Sequence, residues 1–343
     1  MKLLIVGDRG GTNIGECFER SAVVLGHAVQ LVEAREARRA PTWLRRFNWH
    51  LRGHRPTRLN QFSYELVNIC RKQRPDVLLA TGIAPIIRQS LEIIRLQGAT
   101  TINYLTDDPW NPSQRSKWFL KSLGGYDMIF SVRRANMPDL LAHGCREVHY
   151  LPFAYEPRLH FPETASSAAE ASQYSADIVF IGGADRDRVP YAQALYQAGF
   201  SVALYGDYWA RYQVTRAQWH GYADVRTLRL ATAGGKISLC LVRRANRDGN
   251  TMRSFEVPAM GGCLLAEDTP EHREIFGADG AAVLYFHSIP EMVERAKWLL
   301  SHEPERQRLA SAAHQLITSG KNTYTDRLRT MLESASTRKD EAA

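Results

Sequence analysis

Short apolar runs recur along this chain, each followed by a polar turn and an amphipathic stretch. In the first half they cover residues 2–6, 28–32, 77–80, 101–105, 128–132 and 148–151. Runs of Val, Ile and Leu that do not alternate with polar residues predict strands buried on both faces. Helical patterns such as 16–25 and 86–96 fill the gaps. A stretch rich in Ala and Ser, 163–175, has no apolar period, and beyond it the alternation restarts at 178–181, 202–204, 237–241, 263–266 and 282–286. A long helical stretch, 289–334, follows, and a charged tail, 338–341, is expected to fray. Strand then helix, repeated, implies parallel sheets covered by helices. The expected organisation is an α/β chain of two Rossmann-like doubly wound domains facing across a cleft. Their expected bounds are 1–160 and 177–337, with 161–176 as the linker.

Length agrees, since 343 residues suit two domains that each bury a core. A hydrophobic fraction of 44% and a charged fraction of 23% are those of a globular protein. Asp8 and Arg9 interrupt the first apolar run too early for a signal peptide, and no run is long enough to span a membrane. Cys17, Cys70, Cys145, Cys240 and Cys263 are scattered and never form C-x-x-C, which favours a reduced cytoplasm and no zinc site.

The net charge of +8 has a location. Between Arg35 and Arg58 stand eight arginines and one acid, Glu36, interleaved with Trp43, Phe47 and Trp49. This segment suits an anionic surface, such as a glycan, a carrier or the inner face of a membrane; nucleic acid is not the expected partner. His50 and His54 are at helical spacing there, but the surrounding positive charge disfavours a metal.

The densest constellation lies between residues 241 and 262. A strand ends, and a loop follows with Arg243, Arg244, Arg247 and Asp248. A helix start is expected next, with Arg253, Ser254 as its cap, Glu256 in the first turn and Pro258 at its margin. Arginines beside a helix N-terminus suit a diphosphate, and a carboxylate one turn in can accept hydrogen bonds from a ribose diol. Gly182 and Gly183, with Arg186 and Arg188 behind them, form a second phosphate-type turn after a strand. In the first half, Gly11 belongs to a Gly-rich turn (7–15) expected to face a phosphate or the acceptor. Asp107 and Asp108 follow a strand, where a carboxylate can serve as a general base.

The run from Arg243 to Gly262, with Asp107-Asp108-Pro109, Leu151-Pro152-Phe153, 177–183 and 322–327, resembles the CgeB-like glycosyltransferases of the spore maturation protein B type. That family belongs to the GT-B superfamily and is related to glycosyltransferase group 1. The resemblance implies transfer of a sugar from a nucleoside-diphosphate-sugar, UDP- or dTDP-linked, to an acceptor, without a metal cofactor. It places Glu256 on the ribose and Asp248 on the donor sugar, as in the retaining E-x7-E pattern with Asp replacing the first Glu. An inverting enzyme would instead use Asp107 or Asp108 as base; the reading leans to retention.

Two other readings compete. One is an NAD(P)-dependent oxidoreductase using the first Gly-rich turn and Glu33, although the glycines do not spell G-x-G-x-x-G. The other is a non-catalytic protein that binds an anionic surface through residues 35–58. That reading leaves 243–262 without a purpose.

Overall fold

The computed structural model describes residues 1–342, with side chains as far as Arg338. It divides into two compact units. The first comprises Met1–Pro152, Ala245–Arg247 and the chain from Tyr324 onward; the second comprises Phe153–Arg244 and Asp248–Thr323.

In the first unit, β1 (Lys2–Gly7), β2 (Ala28–Glu33), β3 (Val77–Thr81), β4 (Thr100–Leu105), β5 (Met128–Ser131) and β6 (Val148–Tyr150) form one sheet. The strand order is β2-β1-β3-β4-β5-β6 and the pairings are parallel. The helices between the strands are α1 (Ile14–Val24), α2 (Thr42–Leu51), α3 (Leu59–Gln73), α4 (Arg88–Leu96), α5 (Lys117–Leu123) and α6 (Met137–Ala142). One face of the sheet packs Leu4, Val6, Leu78 and Ala80 against Phe62, Leu66, Leu91 and Ile94 of α3 and α4. On α1, Phe18 meets Tyr104 and Tyr324 edge-on, at ring distances of 5.2 and 5.5 Å. Tyr324 opens the last helix of the chain.

In the second unit, β7 (Ala176–Ile181), β8 (Val202–Tyr205), β9 (Gly235–Cys240), β10 (Leu264–Glu267) and β11 (Leu284–Phe286) are ordered β11-β10-β9-β7-β8, again parallel. The helices are α7 (Ala168–Tyr174), α8 (Val189–Gln197), α9 (Val225–Gly234), α10 (Arg253–Ala259), α11 (Pro270–Phe276), α12 (Ile289–Ser301) and α13 (Glu303–Ser319); α14 (Tyr324–Ala342) returns to the first unit. Starts are set by short polar caps. The side chains of Asp224, Thr269 and Ser288 accept from the backbone amides of Thr227, His272 and Glu291. Ile178, Phe180, Leu239, Leu265 and Phe286 of the sheet bury against Leu195, Met292 and Leu299.

All eleven expected strands are present in the expected order, and each sheet is doubly wound. The boundaries differ from expectation. The first segment of the first unit ends at Pro152, and 161–176 does not stand apart as a linker, because it carries α7 inside the second unit. There Arg226 of α9 donates to Glu170 of α7, and Arg229 donates to Glu163. The stretch 289–334 is three helices, broken at His302 and again around Asn322, and the last runs on through the expected tail. Its side chains beyond Arg338 lie outside the described residues.

Candidate functional site

In open parallel sheets, ligands sit outside the carboxyl ends of the strands, where the winding reverses. In the second unit that point lies between β7 and β9. Three arginines gather there. Arg188, almost fully buried, donates to the carbonyl of Gly183 beyond β7 and to that of Leu241 beyond β9, both at 3.1 Å. It therefore staples the two loops on either side of the switch point. Arg253, from the first turn of α10, donates through Nε to the Ile181 carbonyl at 3.0 Å. Arg243 extends beside Gly183, where an added Cβ would lie 3.8 Å from its Nη2. Burial, and then the neighbouring Arg243 charge, pull the Arg188 guanidinium below the ordinary arginine value.

Like charges held this close repel unless an anion joins them. Asp185 supplies part of that compensation, with Oδ2 3.7 Å from Arg188 Nε and 3.5 Å from Arg243 Nε. The Asp185 Oδ1 also accepts the amides of Asp187 and Arg188, which fixes the turn after Gly183. Arg186 is exposed on the same turn. Gly182 and Gly183 are partly open, and the Gly182 carbonyl is occupied by the indole of Trp209 at 2.8 Å. Asp248 is partly buried, and its carboxylate accepts the Arg243 amide at 3.3 Å. Gly182, Gly183, Arg186, Arg243, Asp248 and Arg253 thus come together around the ends of β7 and β9.

Three residues of the expected donor set are committed elsewhere. Arg188 is used by backbone carbonyls, as described. Ser254 is not the cap of α10, which begins at Arg253 after Met252. Ser254 points inward, accepts the Thr251 amide at 3.0 Å and lies 2.8 Å from His272 Nε2. Pro258 falls inside the helix, two residues after Glu256. Arg247, expected near the diphosphate, belongs to the first unit.

Glu256 is fully buried. It pairs with Arg253 one turn earlier, and its Oε1 lies 3.4 Å from His160 Nε2. The His160 Nδ1 accepts the Glu156 amide at 3.0 Å, so the ring proton sits on Nε2, the nitrogen nearer the carboxylate. Sequence reading did not find His160, which has no fixed spacing from Glu256. Its signal is burial of an acid, which requires a donor on every side.

Gly249, next to Asp248, packs against the carboxylate of Glu271, which is itself buried. An added Cβ would collide with it. Gly249→Ala should therefore cost about 1–3 kcal/mol, the scale of overpacking, read as a lower midpoint in chemical denaturation with donor binding weakened in parallel.

In the first unit the switch point lies between β1 and β3. Gly11, exposed and with φ of 57°, sits in the turn after β1. That turn has its own carboxylate, because Glu16 in the first turn of α1 accepts the Gly10 amide at 2.6 Å. An incoming phosphate would find that amide already taken by a carboxylate, which Arg20 also pairs at 2.8 Å. Glu33, the acid an NAD ribose would need, is paired with Arg35. Both arrangements disfavour the oxidoreductase reading.

Asp107 is half-buried, and its Oδ2 accepts from Thr106 at 3.1 Å. Asp108 is buried and held by a two-pronged pair: Arg247 Nε donates to Oδ2 at 2.6 Å and Nη2 to Oδ1 at 3.1 Å. The Trp110 amide adds a third bond, at 2.9 Å. Arg247 also donates to Asp139 at 2.6 Å, and the Asp108 bonds above all raise its pKa. Of the two expected bases, Asp107 is the more accessible, while Asp108 is engaged as an acceptor. All five cysteines are free and buried. Among the described residues, no helix is long and apolar enough to cross a membrane.

Residues 188–333 match the model of a family described as glycosyl transferase-like. No curated protein matches the chain. Solved structures match along its length. Sucrose-phosphate synthase from Thermosynechococcus elongatus is 10% identical, with a TM-score of 0.69 and all of both chains covered. HepE from Anabaena, in complex with UDP and glucose, is 12% identical at 0.64, covering 98% of this chain and 100% of that one. A trehalose-6-phosphate synthase, studied for glycosyl transfer with retention, is 13% identical at 0.63, covering 98% and 99%. The chain thus has the GT-B fold, and its second half is glycosyl transferase-like.

Proposed function

We propose that the protein is a glycosyltransferase that moves a sugar from a nucleoside-diphosphate-sugar, UDP- or dTDP-linked, to an acceptor hydroxyl. The observation that carries this reading is the set of arginines at the carboxyl ends of β7 and β9. Arg243 and Arg253 take the diphosphate, with Arg186 at its edge, and Arg188 fixes the two loops that present them. Departure of a diphosphate builds negative charge, and preorganised guanidinium groups stabilise that charge as the sugar bond breaks. Glu256 holds Arg253 in place; direct contact with the ribose requires its carboxylate to turn out of that pair. Asp248 is the group for the donor sugar. Kinship with the CgeB-like type belongs to this reading, and so does a retaining course, the course studied in a trehalose-6-phosphate synthase of the same fold.

The partner side of the reading concerns residues 35–58, in the cytoplasm. On α2, Trp43, Phe47 and Leu51 recur at i, i+4 and i+8 and are 69%, 47% and 73% exposed. Exposed Arg45 and Arg46 lie beside them. This surface suits an anionic acceptor or carrier, including one at the inner face of a membrane.

Titration calorimetry tests the donor reading. UDP or dTDP should bind and NAD(P) should not; binding of NAD(P) alone overturns it. The product anomer, read by NMR, tests the course of reaction. Retained configuration with activity lost in Asp248→Asn is expected, whereas inverted configuration with loss in Asp107→Asn assigns the base to the first unit.

A further inference from the structure

A wide cavity on the first unit is lined by neither Asp107 nor Gly11. It has a volume of about 1480 Å³ and runs along the outer side of α3, α4 and α5. Its cations are Arg52, Arg55, Arg88, Arg115, Lys117 and Lys121. Only Arg88 has a carboxylate partner among the described residues: Glu92, one turn along α4 and 2.8 Å away, which also lines the cavity. Arg55 reaches no more than the amide oxygen of Asn60, at 2.7 Å. A second basin of about 330 Å³ shares Arg55 and adds Arg38, Arg45 and Arg46 without any acid.

We propose that this cavity binds an acidic glycan chain as the acceptor. First, six cations from separate elements face one hollow against a single carboxylate, Glu92, and most of their field accumulates there rather than cancelling within the protein. Second, the volume exceeds the roughly 300–1,000 Å³ of small-ligand sites, so it fits several linked sugars better than one nucleotide. Third, Arg52, Arg88, Arg115, Lys117 and Lys121 are exposed, which suits a hydrated polyanion, and the surface is concave, which a flat bilayer does not match. Tyr64, half exposed, lines the same hollow and offers an aromatic surface to sugar rings. The acceptor role rests on the transferase reading, whereas glycan binding does not.

The test uses the full chain and the variant Arg115→Gln/Lys117→Gln/Lys121→Gln, whose side chains make no ion pair in the structure. Hexagalacturonate is the probe, neutral maltohexaose the control, and UDP binding the independent measure of the donor site. Hexagalacturonate should bind the natural chain, weaken steeply with added salt, and lose about tenfold or more in affinity in the variant. Maltohexaose should not bind, and UDP affinity and the thermal midpoint should be unchanged in the variant. Equal hexagalacturonate affinity in the two proteins overturns the proposal. So does binding to vesicles of equal parts phosphatidylcholine and phosphatidylglycerol without binding to the glycan, which assigns the cavity to a membrane. UDP binding without glycan binding overturns only this inference; glycan binding without UDP binding overturns only the donor reading.

Discussion

Glu256→Ala should lower stability by about 3 kcal/mol, near the lower bound for breaking a buried ion pair. The carboxylate is fully buried between Arg253 and His160, so its removal strands a guanidinium group beside the end of β7 and leaves a void next to His160. The cost stays at the lower bound because a quarter of the Arg253 side chain is open to solvent, which screens the stranded charge. Chemical denaturation measures it. Donor affinity should fall in the same variant, because Arg253 loses the partner that orients it. Glu256→Gln, which keeps hydrogen-bonding atoms in the same volume, should recover part of the stability. A Glu256→Ala protein with unchanged midpoint and unchanged UDP affinity removes Glu256 from both roles.

The second large effect belongs to Arg243. Its side chain is a third exposed, lies beside Gly183 and, among the described residues, has only a long contact with Asp185, so little of the fold depends on it. Arg243→Ala should weaken nucleoside-diphosphate binding by roughly 1.5–3 kcal/mol, the scale of hydrogen bonds to a charged group, with the denaturation midpoint nearly unchanged. Arg188→Ala should behave in the opposite way. It removes the staple between the Gly183 and Leu241 carbonyls, and stability should fall before binding can be measured. If Arg243→Ala binds UDP as the natural chain does, the diphosphate does not lie at the β7–β9 switch point.

Much of this was legible in the chain. A buried parallel strand announces itself by an unbroken apolar run, which is why 77–80 and 101–105 were found almost to the residue as β3 and β4. The cluster after β9 was legible because Arg243, Asp248, Arg253 and Glu256 are close in sequence. What was hidden depends on contacts over long separations. Asp108 and Arg247 are 139 residues apart, and no local period joins them. His160 meets Glu256 for the same reason, only after folding. The stretch 163–175 looked like a linker because its apolar content is low. Its helix is held by arginines on α9, whose partners Glu163 and Glu170 read as ordinary surface acids. The motif around Asn322 also has a structural meaning: Arg327 is buried and donates to the Pro152 carbonyl at 2.9 Å, so two of the motifs that marked the resemblance meet as a packing contact.

The carboxylate of Glu16 on the amide of Gly10 has a consequence for stoichiometry and turnover. A doubly wound domain ordinarily offers its first turn to phosphate, and a chain with two such domains could hold two nucleotides. Here the first domain presents that turn already occupied by its own anion. UDP should therefore titrate to one equivalent per chain. Product inhibition should follow a single-site law, with released nucleotide competing against donor and not against acceptor. Glu16→Gln removes the internal anion, and a second, weaker equivalent of UDP in its titration would show that the first domain's silence is electrostatic.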